Sequence, residues 1–131
     1  MVSANLIEKE PNISRQPHDT KEPNEQALLI GIDRPGSEWT IQESFEELAR
    51  LAETVDVEVV GSVSQRMSHP VPSTYFGKGK VEEVLALKET LEYDVIIVDD
   101  ELTPAQLRNL EKLLDVMILD RTALILDVFA R

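Results

Sequence analysis

Three short apolar runs constrain the fold of this chain more than any other feature. Residues 27–32, 95–98 and 116–119 are almost entirely apolar and lack the polar alternation of a half-exposed strand. Runs of this kind are typical of strands that are covered on both faces, as in a parallel sheet. A fourth stretch, 56–63, mixes apolar and polar residues and predicts a strand with one exposed side, at the edge of the sheet.

Helical patterns separate the predicted strands. Thr40 and Glu43 have the spacing of a capping box, and an apolar stripe follows them. Thr103, Pro104 and Gln106 give a third helix an equally strong start. The predicted helices are residues 40–55, residues 80–92, a helix that begins after Thr103, and a helix from Arg121 to the end. This alternation predicts an α/β domain with a small four-stranded, mainly parallel sheet and helices on both faces.

The sequence divides into a polar leader and one domain. Residues 1–25 are rich in Pro, Asn, Glu and Ser and cannot bury enough apolar surface to fold, so we expect them to be disordered. Residues 26–131 are sufficient for a single core. The last helix is apolar on most sides, and no Gly, Asn or Pro ends it before Arg131. We therefore expect a domain that is truncated in its last helix and self-associates through it.

Composition excludes several classes of function. The formal net charge of −12 argues against a general affinity for nucleic acid, so any RNA contact must be local. The absence of cysteine removes disulfides and thiolate chemistry. The folded part contains one histidine, His69, which is too few for a histidine metal site. No apolar run approaches the roughly 18 residues of a membrane span. We expect a cytoplasmic protein with no membrane span, no metal site and no catalytic residues.

A gap in the negative charge marks a candidate binding surface. No Asp or Glu occurs between Glu58 and Glu82, although the chain contains 25 acidic residues. Basic residues lie on both sides of two aromatic residues in this gap, a composition found in surfaces that contact phosphate or nucleic acid. The alternative is that its two aromatic residues are anchors of the core. The basic and aromatic residues of the gap are Arg66, His69, Tyr75, Phe76, Lys78 and Lys80.

The turn Gly77-Lys78-Gly79-Lys80 lies at the end of this gap. Glycines permit positive φ angles and close approach of a ligand, and the N-terminus of the following helix favours an anion. The turn is not a nucleotide P-loop, because the G-x-x-x-x-G-K-[ST] spacing is absent and Val81 follows Lys80. The alternative is a glycine turn that only begins a helix. The candidate phosphate- or RNA-binding residues are Arg66, Tyr75, Gly77, Lys78, Gly79 and Lys80.

Two groups of acidic residues are candidates for a catalytic or metal-binding site. Residues 99–101, Asp-Asp-Glu, follow a buried strand and resemble the Mg²⁺-binding acids of receiver domains. In receivers, however, these acids follow the first strand. We therefore interpret residues 99–101 as a solvated turn, with Glu101 placed favourably before a helix N-terminus. The acidic side of the first helix is interpreted as a solvated face, because nothing indicates a cleft that would raise a carboxyl pKa.

Three stretches occur in the order and spacing of a known family. They are residues 73–84 (STYFGKGKVEEV), 99–111 (DDELTPAQLRNLE) and 119–131 (LDRTALILDVFAR). With them, residues 26–131 resemble the N-terminal domain of the HflX family of GTPases. The resemblance implies a ribosome-associated GTPase that binds the rRNA of the large ribosomal subunit near the peptidyl-transferase region. It also implies a role in splitting stalled ribosomes, often under stress.

The resemblance further implies partner domains. In the family, this region is followed by a long helical hairpin and by a G domain, whose own P-loop binds GTP and Mg²⁺. The 131 residues contain neither a Gly-Lys-Ser/Thr loop nor an Asn-Lys-x-Asp motif, so GTP hydrolysis and its cofactors are not assigned to this chain. We expect a binding domain that docks such a GTPase on rRNA or tunes its nucleotide cycle. The alternative is a small ATP-binding domain or ATPase centred on the Gly77–Lys80 turn.

Overall fold

The computed structural model describes residues 25–130. The expected leader, apart from Glu25 in the first strand, and Arg131 lie outside the described residues. Within the described part, no helix combines the length and apolar character needed to cross a membrane. The elements are β1 Glu25–Asp33, α1 Ile41–Thr54, β2 Val57–Arg66, α2 Lys78–Leu91, β3 Val95–Val98, α3 Pro104–Leu114, β4 Met117–Asp120 and α4 Arg121–Phe129.

The four strands form one sheet in the order β2-β1-β3-β4, and every neighbouring pair is parallel. The predicted α/β fold is therefore confirmed, including the edge position of β2. The chain leaves β1 for β2 on one side and later enters β3 on the other side. The strand order consequently reverses between β1 and β3, which is the place where ligands commonly bind in sheets of this class.

Side chains of the central strands enter two core layers. From β1, Leu28 and Ile30 pack in the layer of α2 and α3, whereas Ala27 and Leu29 pack in the layer of α1 and α4. All four residues of β3 are buried. Burying an aliphatic side chain of this size stabilises a fold by roughly 1.5–3 kcal/mol. The helices on both faces therefore explain why the central strands are apolar without alternation.

Three helices begin where the sequence predicts. The Thr40 hydroxyl accepts a hydrogen bond from the backbone N–H of Glu43, and each side of this capping box is formed. Thr103 and Gln106 form the same arrangement at α3. At α4, Asp120 Oδ1 accepts from the N–H of Ala123 at 2.9 Å. Each cap involves residues only three positions apart, so the sequence predicts it.

The start of α2 differs from the prediction. The helix begins at Lys78, with Gly77 as its N-cap, rather than at Lys80. Lys78 and Gly79 are exposed and add nothing to the apolar stripe, so the periodicity places the start two residues too late. The Gly-Lys turn is thus the first turn of α2 itself.

Candidate functional site

The three stretches that carry the family resemblance meet at the carboxyl edge of the sheet. The Tyr75 hydroxyl, from the first stretch, donates to Asp100 Oδ2 in the second at 2.5 Å. The N–H of Leu102, also in the second, donates to Asp120 Oδ2 in the third at 3.0 Å. Residues that are far apart in the sequence are therefore hydrogen-bonded to one another at the carboxyl ends of β3 and β4.

Tyr75 is a core residue with a polar tip. Its side chain is 1 % exposed, as is that of Phe76, and the two rings stack with centroids 5.3 Å apart. Burial raises the pKa of Tyr75 far above its ordinary value, and the charge and hydrogen bond of Asp100 raise it further. This placement favours the interpretation of both aromatic residues as core anchors. Tyr75 offers no ring surface on which a base could stack.

The glycines of the turn serve a different purpose from the one expected. Gly36 is the only described glycine with positive φ, so the expectation of positive φ at Gly77 or Gly79 is wrong. Gly77 instead gives room to Gln65, since an added Cβ would lie 3.2 Å from Gln65 Nε2. The N–H of Gly77 donates to Gln65 Oε1 at 2.9 Å. The positive φ of this segment, 68°, occurs at Tyr75.

The Gln65–Gly77 hydrogen bond joins the end of β2 to the start of α2. It thereby brings Arg66 and Lys78, the residues that follow each partner, to the same edge of the domain. Arg66 is mostly exposed and lies 3.2 Å from Asp33, and Lys80 Nζ lies 3.2 Å from Glu83. Exposed ion pairs of this kind contribute about 0–1 kcal/mol, so a phosphate group can replace them at little cost. We call residues 66–80, from the last residue of β2 to the first turn of α2, the basic loop.

A crevice of about 870 Å³ lies at the reversal of strand order, between the segments that follow β1 and β3. Arg34, Trp39, Asp100 and Arg121 are among the residues that line it, and Trp39 is 69 % exposed. None of the six candidate residues from the sequence lines it. The sequence does not predict this crevice, because its position depends on the strand order. No local sequence pattern determines that order.

Ion pairs organise this crevice. Arg121 Nη2 lies 2.6 Å from Asp99, whose side chain is only 6 % exposed, and Arg121 Nη1 lies 3.4 Å from Glu47. Burial lowers the pKa of Arg121, but its hydrogen bond to Asp99 and the charges of Asp99 and Glu47 outweigh burial and raise it. The prediction of a solvated turn is therefore wrong for Asp99, although Glu101 is exposed. Glu47, on the predicted solvated face, has a partner in Arg121.

The lining of the crevice carries seven carboxylates and three guanidinium groups. Its net charge is therefore negative, and it does not favour a phosphate-bearing ligand. The basic loop and the crevice are thus neighbouring surfaces of opposite character at one edge of the sheet. Asp100 connects the two, because it lines the crevice and accepts the hydrogen bond of Tyr75 in the basic loop.

Comparison with known proteins decides the family. A family model described as GTP-binding GTPase N-terminal matches residues 42–130. The chain belongs to this family. The GTPase HflX of Flavobacterium psychrophilum is 43 % identical over 108 residues, which cover 82 % of this chain and 26 % of that protein. HflX of Escherichia coli K12 is 33 % identical over 113 residues, which cover 86 % of this chain and 26 % of that protein.

These matches confirm the resemblance to the N-terminal domain of HflX GTPases that the three stretches indicate. The chain spans about a quarter of the length of these curated relatives. Two solved structures share its fold: the complex of SsGBP with GDP, and a GTP-binding protein from Sulfolobus solfataricus with GDP. Their TM-scores are 0.60 and 0.58, each at 22 % identity, over 81 % of this chain and 29 % and 30 % of theirs.

Proposed function

We propose that this domain docks an HflX-type GTPase on the large ribosomal subunit and so supports the splitting of stalled ribosomes in the cytoplasm. In this proposal, the basic loop contacts rRNA phosphates. The domain works beside a helical hairpin and a G domain of the same protein, and the G domain binds GTP and Mg²⁺. The proposal rests on family membership and on the first turn of α2.

The first turn of α2 carries the proposal. Of the four described helices, α2 is the one without a side-chain hydrogen bond at its N-cap. The first intrahelical bond runs from the N–H of Val81 to the carbonyl of Gly77, at 3.0 Å. The N–H groups of Lys78, Gly79 and Lys80 therefore remain for an anion, and two of these residues add a positive side chain.

The charges of the two helix layers also favour contact between rRNA and the layer that contains α2. Helices α2 and α3 carry five Lys or Arg residues against four Glu residues. Helices α1 and α4 carry two Arg residues against five acidic residues. A surface of negative potential repels rRNA, so the layer of α2 and α3 is the one that can approach it. The net charge of −12 is therefore compatible with one local phosphate contact.

The proposal is tested by changing Lys78 and Lys80 together to Ala in the full-length protein. Large-subunit binding should weaken most at low salt, and the slope of log affinity against log salt should flatten by about one unit for each lost phosphate contact. The control is Arg50→Ala, which removes an exposed positive charge from α1, in the other helix layer. Equal affinity and slope in the lysine variant and the wild type would refute the proposal.

We also propose that the domain hydrolyses neither GTP nor ATP by itself. Its sequence lacks the motifs that hold nucleotide phosphates and the guanine base, and its crevice is net acidic. The experiment is phosphate release from GTP and ATP by the isolated chain, with and without large subunits. Release above the level of a Lys78→Ala/Lys80→Ala variant would favour the ATPase alternative.

A further inference from the structure

The segment that leads into α2 is held at Tyr75. Its hydroxyl donates to Asp100 Oδ2, and Arg34 Nη1 lies 3.2 and 3.4 Å from the two oxygens of the same carboxylate. Tyr75 also has a φ of 68°, which a bulky residue rarely adopts. The direction in which the chain enters α2, three residues later, therefore depends on contacts that keep Tyr75 in this conformation.

The rest of the segment is fastened to α3. Val71 and Tyr75 exchange two backbone hydrogen bonds of 2.9 and 2.8 Å, which close a tight turn. Gln106 Nε2 donates to the carbonyl of Val71 at 3.0 Å, and Asn109 Nδ2 donates to that of Ser73 at 2.8 Å. The α3 contacts hold the far side of the turn. On the near side, next to α2, the Tyr75 hydroxyl acts together with Gln65 Oε1, which accepts from the N–H of Gly77.

We propose that Tyr75 and Asp100 are positioning residues for the basic loop. Their hydrogen bond keeps the 71–75 turn in the shape that presents Lys78, Lys80 and the free N–H groups of α2 to phosphate. Neither residue touches RNA in this scheme. The inference rests on the proposed function, because it assigns a cause to the shape of the surface that binds.

The central test is Tyr75→Phe in the full-length protein, which keeps the ring and removes the hydroxyl group. Large subunits should bind roughly fivefold to tenfold more weakly, because the apparent dissociation constant rises as the fraction of binding-competent loop falls. The loss should be equal at every salt concentration, since the bound protein still contacts the same phosphates. Hydrogen exchange at the Tyr75 and Phe76 amides should become faster under native conditions.

Tyr93→Phe is the matched control. The Tyr93 hydroxyl donates to the carbonyl of Val84 at 2.7 Å in the same core layer, away from the basic loop. This variant also loses a buried tyrosine hydrogen bond, so it should lower stability without changing subunit affinity. Subunit affinity that is equally unaffected by Tyr75→Phe and Tyr93→Phe would overturn the inference.

Asp100→Ala provides a second variant in case Tyr75→Phe folds poorly. It removes the acceptor and should weaken subunit binding at least as much as Tyr75→Phe. Combining the two changes should weaken binding no further than Asp100→Ala alone, because they remove the same hydrogen bond. If Lys78→Ala/Lys80→Ala weakens binding but neither of these variants does, the positioning inference fails and the proposed function stands. If the lysine variant also binds normally, the proposed function fails.

Discussion

The role of Tyr75 cannot be decided from its neighbours in the sequence. An aromatic residue between basic residues suits both a nucleic-acid surface and a core, and the sequence supports both interpretations. The choice depends on Asp100, which lies on another strand end and accepts the hydroxyl bond. Because that contact is tertiary, no local pattern predicts it. Lys78 is exposed, as a residue that contacts phosphate must be, but it lies in the first turn of α2, two residues before the helix start that the sequence predicts.

The two tyrosines of the chain should make the fold sensitive to alkaline pH. Burial raises the pKa of Tyr75, and so does Asp100; burial also raises the pKa of Tyr93. Since both folded values exceed the unfolded value of about 10, their stabilisation is complete below pH ~10 and is lost as pH rises toward the folded values. Each tyrosine should then lower the free energy of unfolding by about 1.4 kcal/mol per pH unit.

Urea unfolding at a series of pH values above about 9 checks this expectation. Above pH ~10, Tyr75→Phe should reduce the pH slope of the free energy of unfolding by the contribution of one proton, and Tyr93→Phe should reduce it as well. Phenolate absorbance should appear together with unfolding. Titration of both tyrosines in the folded protein near pH ~10 would contradict the account of their burial.

At the scale of elements, helix caps were predictable and the start of α2 was not. Thr40 and Thr103 cap their own helices through residues three positions away, so their role is visible in the sequence. At the start of α2, the N–H of Gly77 instead donates to Gln65 of β2, a tertiary contact that no local pattern predicts. The structure therefore separates two glycines that look equivalent in the sequence.

The two glycines should respond oppositely to alanine. At Gly79, an added Cβ meets nothing within 4 Å and φ is not positive, so Gly79→Ala should stabilise the protein by roughly 0.5–1 kcal/mol. At Gly77, the Cβ would crowd Gln65, and loss of its hydrogen bond should cost about 1 kcal/mol. Thermal unfolding of both variants measures the difference. Destabilisation by Gly79→Ala would contradict the helical first turn.

At the scale of the whole molecule, the sequence predicts the fold class because parallel strands require crossovers, and helices fill them. It does not predict the strand order or the crevice, because these arise when β3 pairs with β1 rather than with β2. The opposite charge of the two helix layers is likewise a property of the assembled fold. It becomes visible only once α2 and α3 are known to share one face.

The exposed apolar side of α4 leads to a prediction about association. Leu126 is 65 % exposed and Phe129 is 83 % exposed, which is unusual for large apolar side chains close together. We expect this chain to self-associate as its concentration rises, and Phe129→Ser to reduce the association. Light scattering over a concentration series measures it. A monomer at every concentration would show that this face does not bind a second copy.

If the start of α2 contacts the large ribosomal subunit, its lysines should be protected from chemical modification in the complex. The full-length protein is treated with an amine-reactive reagent, free and bound to large subunits, and modification of each lysine is quantified by mass spectrometry. Lys78 and Lys80 should be protected in the complex, whereas Lys112, exposed near the opposite end of α3, should react as in the free protein. Unchanged reactivity of Lys78 and Lys80 in a saturated complex would contradict the account.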